Sequence, residues 1–430
     1  MLAGLIGILG LGLGSSIHRY FYEPPANGAD RGTVVYTALV CALCSAVVMA
    51  VIVLPTLGIV VDHLKIELSI SAYAAICAYA LCSLALQVLT DLIRVANGVA
   101  TYLMVSALTK IAGPLTALVF VTYSSSSLAG YFTGLAVAAC TGVGVCLVVI
   151  HPFLRGGRFE ISTAALILQY GWPFALMAPL QWAMGGFDRV LLARAESLET
   201  VGAYALAAKV ALVGAAVFSA FLAAWGPAAF RYRLRGEAFS LHAHRLVYLI
   251  LSLCFYLGLL LTDGLGQWLF KSVFPADYSG SLPYLLLLLY GAVVPLIAAS
   301  QYVFVSISGK TYFFLLISFI GGAAAIAGNL VLVPEHGPLG ASLSAALVGW
   351  LVFGINLYVS RRLGGPTLPV EFFLANTLLL VLVAVPAAGL ADVRFWMDVV
   401  LIAMMAWTGF RIGQSLRSAS SLANPIEDGR

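Results

Sequence analysis

Stretches of eighteen or more apolar residues recur along almost the whole of this chain, and that recurrence constrains its fold more than any single motif. A run of that length matches the hydrocarbon core of a bilayer, about 30 Å, when it is wound as a helix. Inside lipid every backbone N–H and C=O needs an internal partner, which leaves only helices and closed barrels. A barrel would show segments of about ten residues with alternating polarity, and this sequence has none. Composition agrees: 62% of residues are hydrophobic and 9% are charged, where soluble domains carry about 25% charged residues. The expected class is an all-α polytopic membrane protein.

Hydropathy predicts about thirteen transmembrane helices, near 1–18, 34–60, 68–88, 99–122, 127–150, 162–185, 201–230, 245–262, 283–306, 312–333, 338–360, 371–390 and 395–411. Lys and Arg set the orientation. Fifteen lie in one set of alternate loops and ends: Arg19, Arg31, Arg94, Arg155, Arg158, Arg231, Arg233, Arg235, Arg245, Lys310, Arg361, Arg362, Arg411, Arg417 and Arg430. The opposite set holds five, Lys65, Arg189, Arg194, Lys271 and Arg394. Positive charge stays on the cytoplasmic side, so the C-terminus is expected inside. The polar segment from Gln414 onward is expected to be disordered. Asp263–Ser281 is expected to be external and amphipathic, with an interfacial helix anchored by Trp268.

An internal repeat organises these spans. Gly14–Tyr20 (GSSIHRY) matches Gly226–Tyr232 (GPAAFRY), each closing an apolar run at a cytoplasmic loop. Tyr102 precedes Gly130 by the interval at which Tyr312 precedes Gly340. Both matches give an offset of about 210 residues, the pattern of a transporter with two homologous lobes. The expected division is an N-lobe at 1–160, a C-lobe at 161–365, an extra helix pair at 366–412 and a cytoplasmic tail at 413–430. On this reading the second lobe has a helix, 162–185, without a counterpart in the first, so one N-terminal helix is expected to be missing.

The residues that matter for chemistry are the few polar ones at depth. A lysine at the middle of a span costs about 2.5–3.5 kcal/mol on insertion scales, so Lys110 and Lys209 call for a partner, a wet cavity or an anionic ligand. Snorkelling to the interface is their structural alternative. Arg19, Arg94 and Arg231 sit at or between cytoplasmic helix ends, where they also serve as topology signals and complement helix C-termini. Asp188 and Arg189 are either interfacial or partners of the deep lysines. The seven cysteines all lie in apolar runs and read as small hydrophobes; Cys41 and Cys44 match C-x-x-C, but no second pair completes a metal site. Gly10–Gly14 (GLGLG) lies within a span and lacks the βαβ context of a nucleotide loop. No P-loop, zinc-protease motif or catalytic triad is present, so no catalytic residues, metal site, cofactor or nucleic-acid partner is expected.

Taken in order, several stretches resemble the Wzx-type polysaccharide and O-antigen flippases of the multidrug/oligosaccharidyl-lipid/polysaccharide (MOP) superfamily. They are Phe187–Leu192 (FDRVLL), Val201–Lys209 (VGAYALAAK), Ala224–Pro227 (AWGP), Phe274–Tyr278 (FPADY), Ser308–Thr311 (SGKT), Asn329–Pro334 (NLVLVP) and Gly337–Ala341 (GPLGA). Gly14–Tyr20 and Leu92–Arg94 fit more weakly. The resemblance covers essentially the whole chain and implies two pseudo-symmetric helical lobes of MATE-like architecture, in the fourteen-helix form lacking its first helix. It implies export of an isoprenoid-diphosphate-linked oligosaccharide across the inner membrane by alternating access, for polysaccharide biosynthesis. Implied partners are the polyprenyl-diphosphate-linked glycan, membrane lipids, a coupling ion and polysaccharide polymerase machinery. Basic groups at depth suit a diphosphate, and on this reading Lys110, Lys209, Arg19, Arg94, Arg231, Asp188 and Arg189 form the substrate site. Two alternatives stay open. An ion-coupled drug or cation antiporter of the same superfamily needs buried carboxylates. A membrane-embedded glycosyltransferase or ligase needs catalytic groups on a long external loop, and 263–281 offers only Asp263, Asp277 and Lys271.

Overall fold

The computed structural model describes residues 9–22, 28–53, 55, 58, 69–96, 98–123, 127–154, 156–234, 237–308, 310, 312–366, 370–387 and 394–423. These are helical almost throughout, with no strand among the described residues. The helices are α1 (Leu13–Tyr22), α2 (Arg31–Val48, running on as a π turn over Met49–Val53), α3 (Ile70–Ala96), α4 (Val99–Tyr123), α5 (Ser127–Leu154), α6 (Ile161–Ala195) and α7 (Leu198–Leu234). After them come α8 (Glu237–Ser272), α9 (Leu282–Ala299), α10 (Tyr302–Ile307), α11 (Tyr312–Arg362), α12 (Val370–Ala387) and α13 (Arg394–Ala423). Ten of the described helices are long and apolar enough to cross a membrane, and α11, with 51 residues, is long enough to cross twice. The chain is a multi-pass membrane protein.

Two compact units divide the chain at Pro179, inside α6: Met1–Pro179 and Leu180–Arg430. In the first, α3 packs along α5, α5 along α4, and α1 lies against α2 and α3. Its buried centre includes Leu13, Ile17, Val34, Leu92, Ile93 and Ile167. In the second, α9 runs through the middle, packed by α7 and α11, while α13 packs on α8. The core there is aromatic, with Tyr248, Phe255, Tyr290, Phe353 and Phe372 all buried.

Small residues set the helix approaches. A Cβ on Gly134 would fall 2.5 Å from Cα of Ala117, so α4 and α5 nearly touch backbone to backbone there, and Thr116 Oγ1 donates to the Gly134 carbonyl at 2.8 Å. In the second unit the two arms of α11 meet at Gly328, whose added Cβ would lie 2.6 Å from Ser344 Oγ. From Gly134 to Ser344 is 210 positions, and from Ala117 to Gly328 is 211. Two separate helix hairpins thus close at positions related by the offset read from the sequence.

Several details differ from the sequence expectations. The first span does not run straight: Leu11 and Gly12 have φ of +50° and +62°, and α1 starts only at Leu13. Gly12 meets the backbone of Gly171 there, an approach that leaves no room for a side chain. The part of this span at 1–8 lies outside the described residues. The span expected at 283–306 is broken at Ser300 and Gln301, whose backbone N–H groups bond three residues back instead of four. The spans expected at 312–333 and 338–360 are the arms of α11, joined at Gly337 with φ +53° between Pro334 and Pro338. Asp263–Ser272 is no separate interfacial helix but the end of α8, and a 3-10 turn over Ala276–Ser281 follows; Trp268 is exposed, as an anchor would be. Nor is Gln414 the start of disorder. Helix α13 continues to Ala423, because each added residue gains a backbone bond and Ser415 is buried beside His242 of α8 at 3.5 Å.

Candidate functional site

Each unit holds a cluster of charged and polar side chains on its long helices. In the first unit, Asp91 and Arg94 lie one turn apart in the last third of α3, and Arg94 Nη2 pairs with Asp91 Oδ1 at 3.4 Å. The Asp91 carboxylate packs directly onto Gly14 of α1, the first residue of the GSSIHRY stretch. Only glycine leaves that space. The Arg94 guanidinium also stands 5.5 Å from the ring centroid of Tyr102, and its Nε makes no hydrogen bond. On α1, the Arg19 guanidinium lies 4.7 Å from the ring of Tyr170 on α6 and 5.8 Å from that of Tyr20. Cation–π contacts of this kind are worth about 0.5–1 kcal/mol when exposed.

The second unit carries the FDRVLL stretch near the end of α6. Asp188 is buried and accepts from the Tyr204 hydroxyl of α7 at 2.6 Å and from the Arg189 backbone N–H at 2.8 Å. Tyr204 is fully buried, with the Tyr284 ring 6.5 Å away. Arg189 is half-buried, and its Nε has no hydrogen-bond partner. The α6–α7 turn places Glu196 against Gly337, at the kink of α11.

The two lysines stand apart from these clusters. Lys110 is the twelfth residue of the 25-residue α4, close to its midpoint, and Lys209 is the twelfth of the 37-residue α7. Both are exposed, and neither forms an ion pair among the described residues. The sequence-based site therefore separates into pieces: Arg94 with Asp91 and Arg19 with Tyr170 in one unit, Asp188 with Arg189 in the other, and two unpaired lysines. The side chain of Arg231 lies outside the described residues. Tyr170, Tyr204 and Asp91 were not among the expected site residues. No group of three or more His, Cys, Asp or Glu able to hold a metal occurs among the described residues.

The α7–α9 side of the second unit has an apolar cleft of about 350 Å³, lined by Leu222, Trp225, Gly226, Leu296, Ser300 and Val303 among others. Trp225 Nε1 donates to the Ser300 carbonyl at 3.0 Å and Ser300 Oγ to the Ile297 carbonyl at 2.7 Å, so these polar groups are internally satisfied. By the 210-residue offset this cleft corresponds to the Gly14–Asp91 contact, and Gln301 stands where Asp91 does. One unit is charged at this place and the other is neutral.

Solved structures share this arrangement of helices. A MATE protein in complex with MaD5 aligns with a TM-score of 0.63 and 13% identity, covering 84% of this chain and 85% of that one. The chain has the fold of the MATE transporters. The Vibrio cholerae MATE transporter VcmN aligns with a TM-score of 0.61 and 16% identity over 84% and 87% of the two chains. A MOP superfamily transporter from Pyrococcus furiosus, described as having a binding pocket of reverse polarity that suggests a different function, aligns at 0.61 and 11% identity over 84% and 85%. No protein-family profile matches the chain, and no curated protein matches it in sequence. At 11–16% identity these neighbours share the fold of this chain.

Proposed function

We propose that this protein is a flippase that carries an isoprenoid-diphosphate-linked oligosaccharide from the inner to the outer leaflet of the cytoplasmic membrane. On this reading the C-terminus is cytoplasmic, and movement is by alternating access of two lobes. One observation carries the choice of cargo. Two carboxylates within the spans are engaged, Asp91 by Arg94 and Asp188 by Tyr204, while Asp398 near the start of α13 keeps one oxygen without a hydrogen-bond partner; Lys110 and Lys209 have no ion pair among the described residues. A carrier of cationic drugs needs the opposite arrangement, with free carboxylates and no unpaired cation. Unpaired ammonium groups in a low-dielectric setting attract a diphosphate through charge-assisted hydrogen bonds. Arg19, beside the Tyr170 ring, and Arg94, shared between Asp91 and the Tyr102 ring, add guanidinium N–H donors for an anion approaching from the cytoplasmic side. An ion gradient or the membrane potential supplies the driving force.

The test is complementation of a flippase-null strain, reading lipid-linked glycan in the outer leaflet normalised to protein level. Wild type restores export. The Lys110→Glu/Lys209→Glu double variant abolishes it while still reaching the membrane. Resistance to cationic drugs without glycan export would instead establish the antiporter reading.

A further inference from the structure

Two cysteines in the first unit sit sulfur to sulfur although 58 positions apart. Cys82 Sγ and Cys140 Sγ are 2.8 Å from each other, and neither is in a disulfide. Cys82 is the thirteenth residue of the 27-residue α3, and Cys140 is the fourteenth of the 28-residue α5. Both therefore lie at helix midpoints, which for spans of this length is the depth of the bilayer centre. The helices run in the same direction through the contact. The rings of Tyr79 and Phe132 meet at a tilt ahead of the cysteines, centroids 6.0 Å apart, and Leu86 lies 3.1 Å from the Cβ position of Gly142 beyond them. Contacts on both sides of the pair fix its geometry. An S–S bond of about 2.05 Å then needs the sulfurs to close by under an ångström.

Location selects the reactant. Charged and strongly polar solutes are disfavoured at the bilayer centre, so oxidants confined to water seldom reach this pair. Cys140 is exposed and Cys82 half-buried, which leaves the pair open to a molecule dissolved in the hydrocarbon. We propose that Cys82 and Cys140 form a redox-active dithiol, oxidised by a lipid-soluble quinone to a disulfide that ties α3 to α5 at mid-depth. Both S–H bonds break and one S–S bond forms. The two electrons and two protons pass to the quinone, which leaves as the hydroquinone.

The full chain in phospholipid nanodiscs, treated with a ubiquinone analogue and then denatured and alkylated with maleimide, tests this by intact mass. Wild type should fall from seven alkylated cysteines to five, with a cross-linked peptide joining residues 82 and 140, and a reducing dithiol should restore seven. Cys82→Ser and Cys140→Ser should each show six before and after quinone. Retention of seven in wild type overturns the proposal. So does loss of two from either variant, a bond between other cysteines, or a cross-link between two chains.

Discussion

Tyr204 donates its hydroxyl hydrogen to Oδ2 of Asp188 across 2.6 Å, joining α7 to α6 inside the second unit with both side chains buried. The acid and the phenol are sixteen positions apart on consecutive helices, and the bond fixes how the helical hairpin closes. A hydrogen bond to a charged group contributes about 1.5–3 kcal/mol. Removing the donor leaves a buried carboxylate short of a partner, which costs more than removing both groups.

Tyr204→Phe should therefore lower stability by about 1–3 kcal/mol, and Asp188→Asn by less, since the amide oxygen still accepts. The double variant Tyr204→Phe/Asp188→Leu should be more stable than Tyr204→Phe alone. Thermal unfolding in detergent, followed by tryptophan fluorescence, measures all three. With Asp188→Leu alone added to complete the cycle, additive losses would show that the two residues act independently.

Gly14 faces the Asp91 carboxylate with no space for a methyl group. Gly14→Ala should push Asp91 aside, break its pair with Arg94 and destabilise the first unit by about 1–3 kcal/mol, the usual cost of overpacking. Adding Asp91→Ala should recover part of the loss, because the second change removes the atoms with which the first collides. Cross-linking of α1 to α3 and the melting temperature check the pair.

Asp30 caps α2: its Oδ1 accepts from the Thr33 backbone N–H at 3.2 Å, and its pKa is lowered by hydrogen bonding from Thr33, side chain first and backbone second. A carboxyl whose folded pKa is depressed stabilises fully above its unfolded value, about 3.9, and loses that contribution as pH falls through the folded value. Asp30→Ala should cost about 1 kcal/mol at neutral pH. The difference between wild type and variant should shrink below about pH 4. Melting curves over pH 3–7 measure it.

Lys110 and Lys209 should give a graded series in the export assay. Ala should reduce export at either site by roughly 10-fold or more, the equivalent of one charged hydrogen bond. Glu should reduce it further, through repulsion added to lost attraction, and Arg should restore part of the activity, keeping charge but not shape. Insertion should be unimpaired by Ala, because removing a deep charge favours it.

The helices themselves were legible in the sequence because lipid imposes one local rule, that a chain crossing it must satisfy its own backbone. Length and hydropathy then located the described helices from residue 31 onward, although α3, α6, α8 and α13 run beyond the expected bounds by roughly two turns or more. The repeat offset reappears in the packing of Ala117 on Gly134 and Gly328 on Ser344. The breaks at Leu11–Gly12, Ser300–Gln301 and Gly337 were not legible. A proline or glycine in a span permits a bend, but the contact that uses it, such as Gly12 on Gly171, joins residues far apart in sequence. Charge followed the same division. The sequence by itself determined which polar residues interrupt the apolar runs, whereas only the tertiary structure decided that Asp91 and Asp188 are engaged and that Lys110 and Lys209 have no ion pair among the described residues. Pairing depends on which helix faces which over a few ångströms, and hydropathy carries no information at that scale.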